Sequence, residues 1–415
     1  MNAIAPSQAF TARLDRLAEI AVRVGLGLQA GQEVVLTAPL DSMPLVRRIT
    51  EHAYKAGASL VTTMLSDDAC TLARYEHAPD AAFDTAPGWL FDGMAAAYKN
   101  GAARLAIAGD DPMLLAAQDP ARVSRANKAR SIAYRPAMEL ITSFATNWSI
   151  VSYATPAWAR AMFPELPEME AVAKLWDAIF AASRVDAADP IEAWRAHNRA
   201  LAVRTEYLNT KRFAALQYRG PGTDLRIGLS DGHLWLGGAK PSQSGILCNP
   251  NIPTEEVFTT PHCLRVDGHV RSTKPLSYQG TLIQDMEVRF EQGVITDARA
   301  RTGEDVLNKV LGTDEGARRL GEVALVPHSS PISASGLLFF NTLYDENAAS
   351  HIALGQAYTT ALKGGNAASP AELAARGANS SLIHIDWMIG SGQIDVDGVA
   401  ADGTAEPVMR QGEWV

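Results

Sequence analysis

At 415 residues, 47% hydrophobic and 20% charged, the chain is long enough for two domains with separate cores and has an ordinary globular balance. Its formal net charge of −9 is spread out with no basic stretch, which argues against a nucleic-acid or anionic-membrane partner. Three cysteines, Cys70, Cys248 and Cys263, show no CxxC spacing, so neither a disulfide framework nor a thiolate metal site is predicted.

The opening Met1-Asn2-Ala3-Ile4-Ala5-Pro6-Ser7-Gln8 has no basic and then apolar region, so no signal peptide is predicted. No run approaches the roughly 18–20 apolar residues of a membrane helix, and a cytoplasmic location is the expectation. Leu14, Leu17, Ala18, Ala21 and Val22 recur at helical spacing between Phe10 and Leu28. Strands are predicted at Glu33–Thr37, Ser59–Met64, Ala103–Ala108 and Trp148–Tyr153, with helices at Ser42–Lys55, Asp92–Tyr98 and Pro120–Thr142. Strands alternating with helices imply an open, mostly parallel sheet. Gly25, Gly27 and Gly31 precede the first strand instead of following it, and that strand ends in Ala38-Pro39-Leu40. A phosphate cradle needs strand, glycine turn and helix in that order, so dinucleotide binding is not expected. This half is expected to shape or cover a site.

The pattern changes after a helical stretch at Pro190–Thr210. Short β-like runs follow at Phe213–Tyr218, Asp224–Leu229, His233–Leu236, 264–272, 286–290 and 322–326. Turns at Gly220-Pro221-Gly222 and Ser230-Asp231-Gly232 punctuate them. A helix is predicted near 346–361, then a strand carrying His384. The expectation is an α/β domain over 1–208 and an α+β domain over 209–415.

Chemistry concentrates in the second half. In Ser381-Leu382-Ile383-His384-Ile385-Asp386-Trp387-Met388, His384 and Asp386 share one strand face while Ile383 and Ile385 face the other way. Such a pair on a largely buried strand needs a partner, and a divalent metal is one. Glu255 and Glu256 stand in an extended segment between Pro253 and Pro261, where one should turn inward and one outward; two surface glutamates are an equal reading. Glu322 enters the strand Glu322–Val326, with Arg318 and Arg319 close enough for a salt bridge. If Asn347 starts a helix, His351 and Tyr358 share its face, and Glu346 is either a ligand or a first-turn glutamate. Each residue alone has an ordinary structural explanation. Together, carboxylates, two imidazoles and a phenol without sulfur suit Zn²⁺, Co²⁺ or Mn²⁺. The set is larger than one catalytic zinc uses, which favours two metals bridged by a carboxylate. There is no HExxH, and His233, His262, His269 and His328 have no patterned partners.

Four segments carry a family resemblance: Asn251-Ile252-Pro253-Thr254-Glu255-Glu256-Val257-Phe258, Gly321-Glu322-Val323-Ala324, Asp345–Gly355, and His384-Ile385-Asp386. In sequence and order they resemble the thermophilic-type metalloaminopeptidase family over nearly the whole chain. The resemblance implies a homodimeric, two-metal exopeptidase acting on peptides with a free N-terminus. It places metal ligands at Glu256, Glu322 (bridging), Glu346, His351, His384 and Asp386, and a catalytic tyrosine at Tyr358. Glu255 is the candidate proton shuttle. A rival reading is a ring-cleaving dioxygenase with one non-haem iron held by His351, His384 and Asp386. A third is a binding protein on the same fold, which would be expected to have lost ligands.

Overall fold

The computed structural model describes residues 7–278 and 281–415. The leader-peptide expectation rests on Met1–Pro6, which lie outside the described residues. Two compact units form: the chain up to His197 together with Ala239–Pro253, and Asn198–Gly238 together with Thr254–Val415. The helix Pro190–Lys211 contains both the crossover at 197/198 and the 208/209 position taken as a boundary from sequence.

The first unit is built on a four-stranded parallel sheet in the order Leu60–Ser66, Glu33–Pro39, Ala103–Ala108, Trp148–Ser152. Helix Met43–Lys55 returns the chain from the first strand to the second, burying Leu45, Val46, Ile49 and Ala53 along one stripe. The amino-terminal helix Gln8–Ile20 is capped by Ser7, whose Oγ accepts from Phe10 N at 3.1 Å. It widens into a π-helical stretch, Ala21–Leu26, that stops at Gly27. Gly27 has φ +58°, and a Cβ there would sit 2.1 Å from Leu247 O, so the turn requires glycine. The parallel α/β expectation holds.

The second unit is strand-rich. One antiparallel sheet has eight strands, ordered 294–299, 287–291, 261–271, 223–229, 215–220, 395–399, 405–410 and 413–414. The other has five: His384–Met388, His351–Gly355, Leu320–Leu325, Val257–Thr259 and Leu236–Gly237. Trp235, Val323, Leu325, Ile352, Leu354 and Trp387 belong to the core beneath them.

Two local expectations fail here. The strand predicted at His233–Leu236 is reduced to Leu236–Gly237. The helix predicted over 346–361 does not form: Glu346–Ala348 is a single 3-10 turn and His351–Gly355 is a strand. The run Asn347-Ala348-Ala349 favours a helix locally, but pairing with a strand on each side outweighs that preference. His351 and Tyr358 therefore do not share a helix face.

Candidate metal centre

Three adjacent strands bring the ligand-type residues together. Glu322 lies opposite Ala353, and Ala353 opposite Asp386; His384 lies opposite Gly355. Residues opposite one another in antiparallel strands share a face, as do residues two apart. Glu322, His351, Asp386 and His384 thus rise from one face, and the positions between them are Ala353 and Gly355. Small residues there leave the space between the carboxylates open. Ile352 and Leu354 alternate to the other face and anchor the strand in the core.

The result is two triads that share one residue. Glu256, Glu322 and His351 offer ligand atoms within 4.8 Å of one another, and so do Glu322, His384 and Asp386. His351 Nε2 lies 3.2 Å from Glu256 Oε2 and 3.8 Å from Glu322 Oε1. His384 Nε2 lies 3.3 Å from Glu322 Oε2 and 3.4 Å from Asp386 Oδ1. Glu322 presents one oxygen to each imidazole, and Arg318 instead donates to Ile295 O and Arg319 to Cys263 O.

The outer hydrogen bonds decide what these imidazoles can do. His351 Nδ1 sits 3.1 Å from Ala349 O, and His384 Nδ1 sits 2.7 Å from Gln356 O. A carbonyl only accepts, so each Nδ1 carries a proton, and each ring, once its Nε2 is deprotonated, aims that lone pair at carboxylate oxygens. Acceptors facing acceptors need a cation or added protons. Donors held 2.0–2.2 Å from a tetrahedral ion stand about 3.3–3.6 Å apart, close to the observed spacings. Glu256 Oε2 is enclosed and accepts no well-formed hydrogen bond. The residues fit a metal.

Electrostatics without the ion point the same way. Burial, then the charge of Glu322 and Asp386, pushes the Glu256 carboxyl up against the pull of His351. Glu346 is held well above the usual carboxylate range by burial and by Glu256 and Asp386. Burial works against the imidazolium of His384, yet Asp386 and Glu322 raise it to about 11. His351 is likewise raised, against its burial, by Glu256 and Glu322. Asp386 ends below its ordinary value because His384 outweighs the burial that would raise it.

Not every candidate joins the triads. Glu346 stands on the 3-10 turn and belongs to neither, although it feels the charge of Glu256 and its own bears on Tyr358. Glu255 was expected to face opposite Glu256, one in and one out, but both are buried, at 3% and 8% exposed. Its backbone N–H donates to Asn347 Oδ1 at 2.7 Å, so the extended segment is held inside the fold. Glu255 belongs to neither triad. The Tyr358 ring lies 4.6 Å from His384 and 5.9 Å from Phe258, centroid to centroid. The residue is 45% exposed, so it stands at the rim and does not fill the core. Burial of its phenol, then the carboxylates of Glu322, Asp386, Glu346 and Glu256, hold its pKa well above the usual value.

Asn347 was missed from sequence. It is fully enclosed; Nδ2 donates to Leu343 O at 2.9 Å and reaches Glu346 Oε1 at 3.4 Å, while Oδ1 receives Glu255 N–H. One amide ties the two carboxylate-bearing segments together. Its signal was its place beside Glu346, but an asparagine in a turn is usually solvated.

No facial triad of His351, His384 and Asp386 forms as one compact group, because the imidazoles fall in different triads. No helix among the described residues is long and apolar enough to cross a membrane.

Comparison with known proteins identifies the family. The profile of the family described as Thermophilic metalloprotease (M29) matches residues 10–414. Aminopeptidase T from Thermus aquaticus is 56% identical over 98% of this chain and 99% of its own length. Aminopeptidase PepS from Streptococcus thermophilus is 39% identical over 98% of each. The solved structure of wild-type AmpT from Thermus thermophilus superposes with a TM-score of 0.93 at 55% identity, over 98% of this chain and 100% of that one. A 2,5-dihydroxypyridine dioxygenase from Pseudomonas putida covers 99% of this chain and 98% of its own, with a TM-score of 0.55. At 12% identity that likeness speaks for a shared fold alone. The chain belongs to the M29 family of thermophilic metalloproteases.

Proposed function

We propose that the chain is a metal-dependent aminopeptidase that holds two divalent cations and removes N-terminal residues from peptides by hydrolysis. The observation that carries this is Glu322, wedged between two imidazoles whose Nδ1 protons are already committed to backbone carbonyls. The proposed ligands are Glu256, Glu322 and His351 for one cation and Glu322, His384 and Asp386 for the other, with Glu346 completing the shell. Four carboxylates and two neutral imidazoles balance the charge of two divalent ions. Oxygen and nitrogen donors without sulfur suit Zn²⁺, Co²⁺ or Mn²⁺.

Cations bound there supply polarisation of the scissile carbonyl and a water acidic enough to attack near neutral pH. The protein's own part follows from its side chains. Tyr358, whose phenol keeps its proton well past neutrality, donates a hydrogen bond to the oxygen that gains negative charge. Glu255, buried and outside both triads, is the candidate to carry a proton to the leaving amine. The free α-ammonium of the substrate is met by carboxylate oxygens of the cluster that are not turned to a cation, which selects against blocked N-termini. A homodimer and cytoplasmic residence complete the proposal, the first on family resemblance and the second on three thiols that form no disulfide.

The direct test is hydrolysis of a peptide with a free amino terminus against its N-acetylated form, with Zn²⁺, Co²⁺ or Mn²⁺ added. Stepwise release from the free peptide only is expected. Cleavage of both at equal rates, or internal cleavage, would overturn the reading.

A further inference from the structure

Tyr358 gets no fixed frame from its own segment. It follows the strand His351–Gly355 in the irregular stretch 356–358 and is 45% exposed, so neither a ladder nor the core fixes its ring. A phenol that must meet one oxygen of a reacting carbonyl has to be held within about 0.5 Å of its productive place. Much of what holds it comes from a different strand, Val257–Thr259, and the residue just after it. Phe258 lies opposite Ala324, two residues along from Glu322, so its ring rises from the sheet face that carries the triads. It meets the Tyr358 ring edge-on at 5.9 Å and 63°, inside the roughly 4.5–7 Å at which aromatic pairs attract. The His384 ring, 4.6 Å from Tyr358, is a further neighbour. Thr260 is fully buried, and its Oγ1 donates to Tyr358 O at 3.1 Å; the same oxygen accepts from Ala361 N at 3.1 Å. Both lone pairs of that carbonyl are engaged, which ties the backbone carrying the phenol to the neighbouring strand.

We infer that Phe258 and Thr260 are positioning residues for the reaction: the ring of one and the hydroxyl of the other set where the Tyr358 hydroxyl meets the substrate. The inference rests on the reading of Tyr358 as the hydrogen-bond donor to the oxygen that gains negative charge. Phe258 and Thr260 are two apart in an extended segment and reach the same target, one its ring and the other its backbone. Glu256 immediately precedes that strand, so a single stretch of chain sets both a proposed ligand and the phenol, and their mutual placement does not depend on the loop. A displacement of about 1 Å at a reacting group can cost on the order of 10²-fold in rate. Ordinary packing makes a different forecast. A residue that only packs loses stability when cut back, whether or not the phenol hydroxyl is there. A positioning residue loses turnover only while there is a hydroxyl to place.

The test is a double-mutant cycle on the metal-loaded protein, with kcat, KM and metal content measured on leucyl-p-nitroanilide. Phe258→Ala and Thr260→Val should each lower kcat about tenfold or more, with KM within about twofold of wild type and metal content unchanged. Thr260→Ser keeps the hydroxyl and should bring kcat back to within about twofold of wild type. In the Tyr358→Phe background, Phe258→Ala and Thr260→Val should each change kcat by less than about twofold. If Phe258→Ala does not fold, the Thr260→Val and Thr260→Ser pair decides, since Val matches Thr in shape. Losses that multiply in the double variants, a raised KM with kcat kept, or lost metal would overturn the positioning role while leaving Tyr358 as the donor. So would a kcat within about twofold of wild type in both single variants while Tyr358→Phe is slow. A Tyr358→Phe variant as fast as wild type overturns the donor reading and the inference with it.

Discussion

Replacing Glu322 by Gln keeps the side chain's shape and removes its charge at the one position both triads share. Glu322 is 4% exposed, with one oxygen 3.8 Å from His351 Nε2 and the other 3.3 Å from His384 Nε2. A charge lost from beside a metal ligand typically costs about 10–100-fold in affinity. Loss of a directly shared carboxylate should cost at least about 10²-fold at each cation, or ~2.7 kcal/mol apiece. Fold should survive, since Val323 and Leu325 on the same strand are fully buried in the core. The assay strips both proteins with chelator, titrates them with Co²⁺ or Zn²⁺, and counts metal per chain alongside aminoacyl-anilide turnover. Glu322→Gln should weaken both sites together and leave turnover below about 1% of wild type, in line with the loss of a group central to transition-state charge. A variant that loses one cation and keeps the other at wild-type affinity would refute the bridging role. So would wild-type activity.

Tyr358→Phe deletes the phenol hydroxyl while retaining the ring against His384; kcat should drop about 10²–10³-fold with metal content unchanged. Its thermal stability should shift by less than about 1–1.5 kcal/mol, and a kcat within a few-fold of wild type would assign Tyr358 to packing. Metal affinity should rise with pH. The metal-free imidazoles, with His384 raised to about 11 and His351 also raised, hold Nε2 protons that ligation must displace. Calorimetry in two buffers of different ionisation enthalpy should report about two or more protons released per chain loaded, and affinity independent of pH between about 6 and 8 would contradict this.

The sequence carries the parallel sheet openly, because Glu33–Pro39 and Ala103–Ala108 are apolar runs between helices of ten or more residues. It carries the His384–Asp386 pair for the same reason: period two along a strand is visible without tertiary context. Tertiary pairing hides the rest. The sequence alone reads 346–361 as a helix, and only the strands on either side make His351–Gly355 extended. The burial of Glu255 depends on the Asn347 amide, 92 residues away in sequence. The exchange of Ala239–Pro253 into the first unit has no local marker at all. The sharing of Glu322 between triads is a register effect, set by its position opposite Ala353 and, beyond that, Asp386.

The central claim is a pair of cations on one shared carboxylate, and metal stoichiometry of the active protein tests it most directly. Protein purified without added metal, stripped, reloaded with Zn²⁺, Co²⁺ or Mn²⁺ and freed of excess should contain two ions per chain at full aminopeptidase activity. Chelation should abolish that activity and metal should restore it. A fully active chain saturated by a single iron would contradict the account.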